Sequence, residues 1–169
     1  MAQGRRKSWM LAGVAALVVL GAGAAWAIAG GGNATPAAAA DSDTVKVYKT
    51  PQCGCCTAWV DYLRDEGFSV DAENVDQHEL NTIKQDAGLS RELASCHTAF
   101  VGDYVVEGHV PAADIRRLLE ERPEVDGIAV PGMPVGSPGM EMGDRKVPYD
   151  VVMFVDGERV GTFSSYHQE

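Results

Sequence analysis

The chain has 169 residues, which is enough for one folded domain and an N-terminal extension. Residues 1–40 contain three of the 14 basic residues and none of the 24 acidic ones. The rest of the chain therefore has 11 basic and 24 acidic residues, and its net charge is −13. A charge of that sign argues against nucleic acid and anionic membrane surfaces as partners of the folded part.

The first forty residues are predicted to direct export. A basic stretch at residues 5–7 precedes an uncharged run from Ser8 to Ala29, whose length is close to the ~20 residues of a membrane span. We expect a cleaved export signal followed by a flexible tether; the alternative is an uncleaved anchor that keeps this segment in the membrane. In both cases the folded domain, residues 41–169, is expected in the periplasm or elsewhere outside the cytoplasm.

The first half of the domain is predicted to alternate strands and helices. "TVKVYKT" alternates polar and apolar residues, which predicts a strand over residues 44–49, and "FSVDAENV" predicts a second strand. A helix is predicted between them, from Cys55 to Glu66. Its apolar residues recur at helical spacing: Ala58, Trp59, Tyr62 and Leu63. Asp76 is placed to cap a second helix, with Glu79 in the position of a capping box.

The second half is predicted to contain two hairpins and a third helix. "HTAFVGDYVVEG" is a hairpin that turns at Gly102-Asp103, and "YDVVMFVDGERVGTF" is another that turns at Asp156-Gly157. The helix between them has Pro111 in its first turn. Residues 124–147 show neither helical nor strand periodicity and are rich in Met, Pro and Gly. Loops of this length are uncommon inside domains and are often functional.

The order strand, helix, strand, helix, hairpin, helix over residues 44–122 is similar to that of thioredoxins and glutaredoxins. The predicted fold is therefore α/β: a thioredoxin-like sheet with flanking helices, an added C-terminal β-hairpin and a long Met/Pro/Gly loop. Redox proteins with this fold generally carry a proline just before the third strand, beside their cysteine pair. The corresponding stretch here, "SCHTAF", has none, so the fold would bring Cys96 and His97 to that place.

Four cysteines, three of them within four positions, are the chemically distinctive residues: Cys53, Cys55, Cys56 and Cys96. Disulfides are the ordinary expectation in an exported protein. A helix N-terminus lowers the pKa of a thiol, which favours both redox and metal chemistry. Three cysteines so close together strain to surround one tetrahedral zinc ion, and they suit thiolates that bridge soft ions. We therefore expect copper as Cu(I), with one or more ions bound.

Thioether and imidazole groups are further candidate ligands, because Cu(I) accepts both. The long loop offers Met133, Met140 and Met142, for which packing on the core is the alternative. His97 follows a cysteine directly and is a candidate ligand. His109 is another, and it could instead cap the third helix.

Three segments, "CGCC", "SCHTAFVGDYVVEGHVP" and "GIAVPGMPVGSPGME", follow one another in an order that resembles a known family. The resemblance is to exported bacterial copper-resistance proteins of the CopG type, and it extends from about Val45 to Tyr166. It implies a thioredoxin-like fold, copper binding and a role in periplasmic copper tolerance. It also implies a set of metal ligands: Cys53, Cys55, Cys56 and Cys96, with His97 and His109.

The sequence supports three hypotheses of function. In the favoured one, an exported Cu(I)-binding protein holds copper or passes it to an efflux or chaperone protein, and a redox form of it couples copper valence to disulfide formation. The second is a thiol–disulfide oxidoreductase that uses Cys53 and Cys56, so whether the chain is an enzyme stays open. The third is structural, with two disulfides such as Cys53–Cys56 and Cys55–Cys96.

Overall fold

The alternating run at residues 44–49 forms a strand whose odd-numbered residues are buried, and a mixed sheet is built around it. The computed structural model describes residues 44–168. Its helices and strands are β1 (Thr44–Lys49), α1 (Gly54–Asp65), β2 (Ser69–Asn74), α2 (Gln77–Asp86), β3 (His97–Val101), β4 (Tyr104–Glu107), α3 (Ala112–Glu121), β5 (Gly127–Ala129), β6 (Tyr149–Val155) and β7 (Glu158–Tyr166). The predicted α/β class is confirmed.

All seven strands belong to one sheet, in the order β2-β1-β3-β4-β5-β6-β7. Strand β1 runs parallel to β2 and antiparallel to β3, and β3 pairs with β4 as a hairpin. Strands β6 and β7 form the added C-terminal hairpin, which joins the sheet through β5. The predicted order of elements is therefore present, while the thioredoxin-like designation stays a prediction.

The sheet is covered by apolar side chains on both faces. One buried cluster joins α1 and α3 to the sheet and includes Trp59, Leu63, Ile115 and Leu118. A second cluster gathers Leu93, Val105, Ala129, Val152 and Phe154. Burying each such large side chain contributes about 1.5 to 3 kcal/mol. This packing holds α1 against the sheet.

Several local predictions are confirmed. The Asp76 carboxylate accepts the Glu79 N–H at 2.8 Å and so caps α2. The turn of the last hairpin has positive φ at both Asp156 and Gly157, 51° and 75°, as a turn of the primed type requires. The first hairpin turns between β3 and β4 at residues 102–103.

Three sequence-based expectations need correction. The stretch 124–147 contains strand β5, which is too short to show a period and forms because it pairs with both β4 and β6. Ala58 is exposed, because the buried face of α1 runs through Cys56, Trp59 and Val60. Pro111 precedes α3 as its N-cap instead of lying in its first turn.

Among residues 44–168 no helix is long and apolar enough to cross a membrane. The predicted export signal or anchor and its tether, residues 1–40, lie outside the described residues.

Candidate metal centre

The first turn of α1 presents three cysteines. Cys53 is the N-cap residue, and its sulfur accepts the Cys56 N–H at 3.3 Å. Cys53 and Cys56 are joined by a disulfide, with their Cα atoms 5.3 Å apart. Cys55 has a free thiol whose sulfur lies 3.5 Å from that of Cys53. A turn stabilised by the Cys53 N–H donating to the Thr50 carbonyl leads the chain from β1 into this site.

The fourth cysteine reaches the same place from a distant part of the chain. Cys96 immediately precedes β3, and its sulfur lies 4.0 Å from that of Cys55. The sulfurs of Cys53, Cys55, Cys56 and Cys96 all lie within 4.8 Å of one another, and we call them the sulfur cluster. Two of the four are committed to the disulfide, so the cluster offers four thiolates only after that bond is reduced.

A buried carboxylate holds the segment that carries Cys96. Glu107, at the end of β4, accepts the Ser95 N–H and the Lys84 ammonium group, each at 2.5 Å, through one carboxylate oxygen. The hydroxyl of Thr98 donates to the other oxygen at 2.7 Å. Burial raises the pKa of Glu107, and the Lys84 ammonium opposes that shift. The sequence analysis missed this network, whose signal was a glutamate closing the otherwise apolar strand "YVVE".

Two buried histidines face the Cys96 sulfur. The Nδ1–H of His109 donates to the Pro138 carbonyl at 2.8 Å, which directs Nε2 toward the Cys96 sulfur at 3.1 Å. Nδ1 of His97 lies 3.4 Å from the same sulfur. Nε2 of His97 is buried without a hydrogen-bond partner, and the Trp59 ring lies against this imidazole with centroids 4.4 Å apart. We call Cys96, His97 and His109 the histidine group; its ligand atoms also lie within 4.8 Å of one another.

Burial keeps the donor atoms of the histidine group uncharged. It raises the pKa of Cys96 to about 12, and the neighbouring Cys55 adds to that shift. Burial also lowers the pKa of His97 and of His109. At neutral pH the group therefore consists of a thiol and two neutral imidazoles. A bound cation would displace the thiol proton and compensate the charge of the buried thiolate.

The long loop covers this end of α1. Gly139 has a φ of +79°. A Cβ at this position would lie 2.8 Å from the backbone nitrogen of Trp59 and 2.9 Å from the carbonyl oxygen of Cys55. A side chain at this position would therefore separate the loop from the helix. Since Pro138 also binds His109, residues 138 and 139 tie the loop to both sides of the site.

The three methionines of the loop differ in exposure. Met140 is half-buried, whereas 53% of Met133 and 55% of Met142 are exposed. Their role as copper ligands stays a prediction. Of the other histidines, His78 is exposed on α2. His167 is half-buried, and its Nε2 lies 3.3 Å from the Gly136 carbonyl oxygen.

The donor set matches soft metal ions. Sulfur and imidazole nitrogen are the ligands that Cu(I) accepts, and a hard cation would require oxygen ligands. The sulfur cluster and the histidine group share Cys96, so together they form one continuous set of six donor residues.

Comparisons with known proteins agree with this chemistry. Residues 93–140, which include Cys96, His97, His109 and the long loop up to Met140, match the family described as "Protein of unknown function, DUF411". No curated protein matches the chain. Two solved structures of copper resistance protein CopG, form 1 and form 2, are 41% and 42% identical to it, with TM-scores of 0.68 and 0.67. The alignments cover 73% of this chain and 96% and 97% of the two neighbours. The chain therefore belongs to the CopG family of copper resistance proteins.

Proposed function

We propose that the chain is a periplasmic Cu(I)-binding protein of copper tolerance. The observation that supports this most directly is the position of the Cys96 sulfur, 4.0 Å from that of Cys55 and 3.1 Å from Nε2 of His109. Residues from α1, from the start of β3 and from the segment after β4 thus converge on one place. Copper is the cargo of this site, and binding lowers the concentration of the free ion.

Thiolates of the reduced sulfur cluster bind more than one Cu(I) ion in this proposal. Cys53, Cys55 and Cys56 lie within a single helical turn, where bridging two ions is easier than surrounding one tetrahedrally. His97 and His109 complete the ligand set. The thioethers of Met133, Met140 and Met142 cover the site or receive copper as it leaves.

A redox step extends this function. The thiolates of Cys53 and Cys56 each give one electron to a Cu(II) ion, so that two Cu(II) ions become two Cu(I) ions and one disulfide forms. The bond between these two cysteines supports the step, because it is the product that the step requires. The free thiols of Cys55 and Cys96 remain available to Cu(I).

Location and partners are part of the same proposal. An export signal or anchor at residues 1–40 places the domain outside the cytoplasm, where a copper efflux or chaperone protein would receive the ion. A fusion of residues 1–40 to a reporter enzyme that is active only after export tests the location. We expect the reporter to be active, and an inactive reporter would contradict the proposed location outside the cytoplasm.

Metal analysis of anaerobically reduced protein tests copper binding. We expect at least two Cu(I) ions per chain, and fewer ions bound at least tenfold more weakly in Cys96→Ser. His78→Gln, at an exposed histidine of α2, is the control and should bind copper like the parent chain. Equal binding by the Cys96→Ser variant would remove Cys96 from the site and defeat the proposal.

A second candidate function is thiol–disulfide oxidoreductase activity. The disulfide between Cys53 and Cys56, which two residues separate at the N-terminus of α1, favours this activity. Insulin reduction by the metal-free chain distinguishes the two functions. Steady turnover that Cys96→Ser leaves unchanged would identify an oxidoreductase. Absent turnover, or turnover that depends on added copper, would support the copper function.

A further inference from the structure

A series of aromatic side chains leads away from the candidate metal centre along α1. The Trp59 ring lies against the His97 imidazole, with centroids 4.4 Å apart, and both residues are fully buried. Tyr62 lies one helical turn further along and packs against the same core. Trp59 therefore contacts the metal centre, and Tyr62 is the next aromatic residue on the helix.

The start of α3 brings these two rings to one place. The Trp59 Nε1–H donates to the Val110 carbonyl at 2.9 Å, and the Tyr62 hydroxyl accepts the Ala112 N–H at 3.1 Å. Because Val110 and Ala112 are two positions apart, the polar ends of both rings lie beside one short backbone segment. That segment leads into the first turn of α3, which carries Asp114.

Asp114 links this segment to two stacked tyrosines of the C-terminal hairpin. The Tyr166 hydroxyl donates to the buried Asp114 carboxylate at 2.6 Å. The Tyr166 ring stacks on that of Tyr149, with centroids 5.1 Å apart and 12° between the planes. Burial raises the pKa of both tyrosines, and Tyr62 lies near enough to add to both shifts. We call this connected set the aromatic relay: Trp59, Tyr62, Tyr149 and Tyr166.

The two ends of the aromatic relay differ in the group that faces their proton. A tryptophan that loses an electron becomes a radical cation, and the carbonyl oxygen that faces the Trp59 N–H is too weak a base to take the proton. A tyrosine gives up its electron readily only together with its proton. The Tyr166 hydroxyl faces a carboxylate, which is a base for that proton. The favoured direction for a missing electron is therefore from Trp59 to Tyr166.

The Tyr166 end of the aromatic relay is also open to solvent. Tyr166 is the last residue of β7, which forms one edge of the sheet, and its side chain is only half-buried. Trp59, at the other end, is closed to solvent. A small soluble reductant can therefore reach Tyr166 and return the electron that the relay has lost.

Cu(I) near thiolates creates a use for such a relay. Hydrogen peroxide takes up two electrons, and one Cu(I) ion supplies only one. A ligand thiolate that supplies the second electron is itself oxidised, toward sulfenic acid and the higher acids that are not readily reversed. A different electron donor close to the site would spare the thiols.

We propose that the aromatic relay protects the copper-binding thiols from hydrogen peroxide by supplying this second electron from Tyr166. In this step Cu(I) becomes Cu(II), and peroxide takes up two electrons and becomes two hydroxide ions. Tyr166 becomes a neutral radical as its proton passes to the Asp114 carboxylate. The inference rests on the proposed function for the bound Cu(I), whereas electron transfer from Tyr166 to an oxidised Trp59 requires no copper.

Transfer without copper is tested in the full chain with Trp9→Phe and Trp26→Phe, in which Trp59 is the single tryptophan. A laser pulse at a wavelength that tyrosine does not absorb ionises Trp59 in the presence of a soluble electron acceptor. Transient absorption then follows the tryptophan and tyrosine radicals. We expect a tyrosine radical to appear as the tryptophan radical decays. A tryptophan radical that decays with no tyrosine radical would overturn the proposal.

Tyrosine variants in this background identify the residue that loses its electron, because phenylalanine keeps the ring and removes only the hydroxyl. Tyr166→Phe should lower the yield of tyrosine radical at least threefold. Tyr48→Phe is the matched control, because Tyr48 lies on the opposite face of β1 from the core and contacts Phe100. It should keep the parental yield. Equal yields in the two variants would remove Tyr166 from the relay.

Protection is tested in the reduced, Cu(I)-loaded chain with added hydrogen peroxide. Samples frozen during the reaction should show a tyrosine radical by electron paramagnetic resonance. Intact-mass measurement should show at least threefold more oxidised thiol in Tyr166→Phe than in the parent chain or in Tyr48→Phe. Equal thiol oxidation in all three proteins would refute the protective role. A chain that takes up no Cu(I) would instead count against the proposed function, and the copper-free measurement would still decide whether the relay exists.

Discussion

Cys96 is the residue that connects the two groups of donor atoms. Its position depends on contacts of its sulfur with Cys55 of α1 and with the two imidazoles, and on the Ser95 N–H that Glu107 accepts next to it. Burial makes its thiol a weak acid. A metal ion is therefore the partner that makes a thiolate favourable here, since its charge replaces the proton.

The buried histidines predict how the stability of the metal-free domain depends on pH. Burial lowers the pKa of His97 in the folded state, so the unfolded chain binds more protons near the ordinary histidine pKa of 6.5. The contribution of neutral His97 to the free energy of unfolding is therefore complete above about pH 6.5. It decreases as the pH falls from there toward the pKa of His97 in the folded state. Urea unfolding between pH 8 and pH 5 measures the free energy of unfolding.

The variant His97→Gln isolates the contribution of that residue. We expect it to reduce the pH dependence, because glutamine does not titrate, while His78→Gln should keep the parental slope. Burial raises the pKa of Glu107, so the contribution of this residue to the pH dependence of stability has the opposite sign. Because the parent and both variants contain Glu107, that contribution cancels when their slopes are compared. Equal slopes for the parent and His97→Gln would show that folding does not lower the pKa of His97, and would contradict this account.

At the scale of elements, the contact between the long loop and α1 can be tested at one glycine. Gly139→Ala would place a methyl group within 2.9 Å of backbone atoms of Cys55 and Trp59, at a φ of +79°. We expect a loss of more than about 2 kcal/mol in the free energy of unfolding, and weaker Cu(I) binding, because the loop must move. Urea unfolding and competition with a Cu(I) chelator measure the two effects.

Gly143 of the same loop is the matched control. Its φ is also positive, at +59°, but an added Cβ would meet no atom within 4 Å. Gly143→Ala should therefore cost about 1 kcal/mol from backbone strain and leave Cu(I) affinity within twofold. If both variants lost the same stability and affinity, the close approach at Gly139 would have no role in the site.

The ion pair between α2 and β4 predicts a large effect at Lys84. This lysine meets Glu107 at 2.5 Å in the interior, so Lys84→Met leaves a buried carboxylate without its partner. The expected loss is about 3 to 5 kcal/mol in urea unfolding. Lys46→Met makes the same substitution at an exposed pair with Glu73 and should leave the midpoint of urea unfolding close to the parental value. Similar losses for both variants would contradict the structural role of the buried pair.

Elements with local signals could be predicted from the sequence, and those that depend on distant partners could not. The alternation of residues 44–49 and the turn at Asp156-Gly157 are visible in short stretches, and both predictions hold. Strand β5 has only three residues, and it forms because it pairs with β4 on one side and β6 on the other. The pairing of Lys84 with Glu107 across 23 positions likewise has no local pattern.

The sequence predicted which residues form the candidate metal centre better than it predicted the contacts that hold them in place. The order of elements predicted that Cys96 and His97 lie beside the cysteines of α1, and the family resemblance added His109. The structure brings all of these residues together. The bond from His109 to the Pro138 carbonyl depends on how an irregular loop returns to the sheet. No periodicity or spacing indicates such a bond.

At the scale of the whole molecule, the sheet brings distant parts of the chain to one end of α1. Antiparallel pairing of β1 with β3 places the start of β3 beside the end of β1, where α1 begins. Cys96 and the cysteines of α1 therefore meet because of the sheet topology, although 40 positions separate Cys56 from Cys96. The long loop then returns over the same end.

X-ray absorption at the copper K-edge of the reduced, Cu(I)-loaded chain tests the central claim most directly. The account predicts a first shell dominated by sulfur with a second copper ion nearby, and fewer sulfur ligands in the Cys96→Ser variant. A shell of nitrogen and oxygen, or one that Cys96→Ser leaves unchanged, would contradict it.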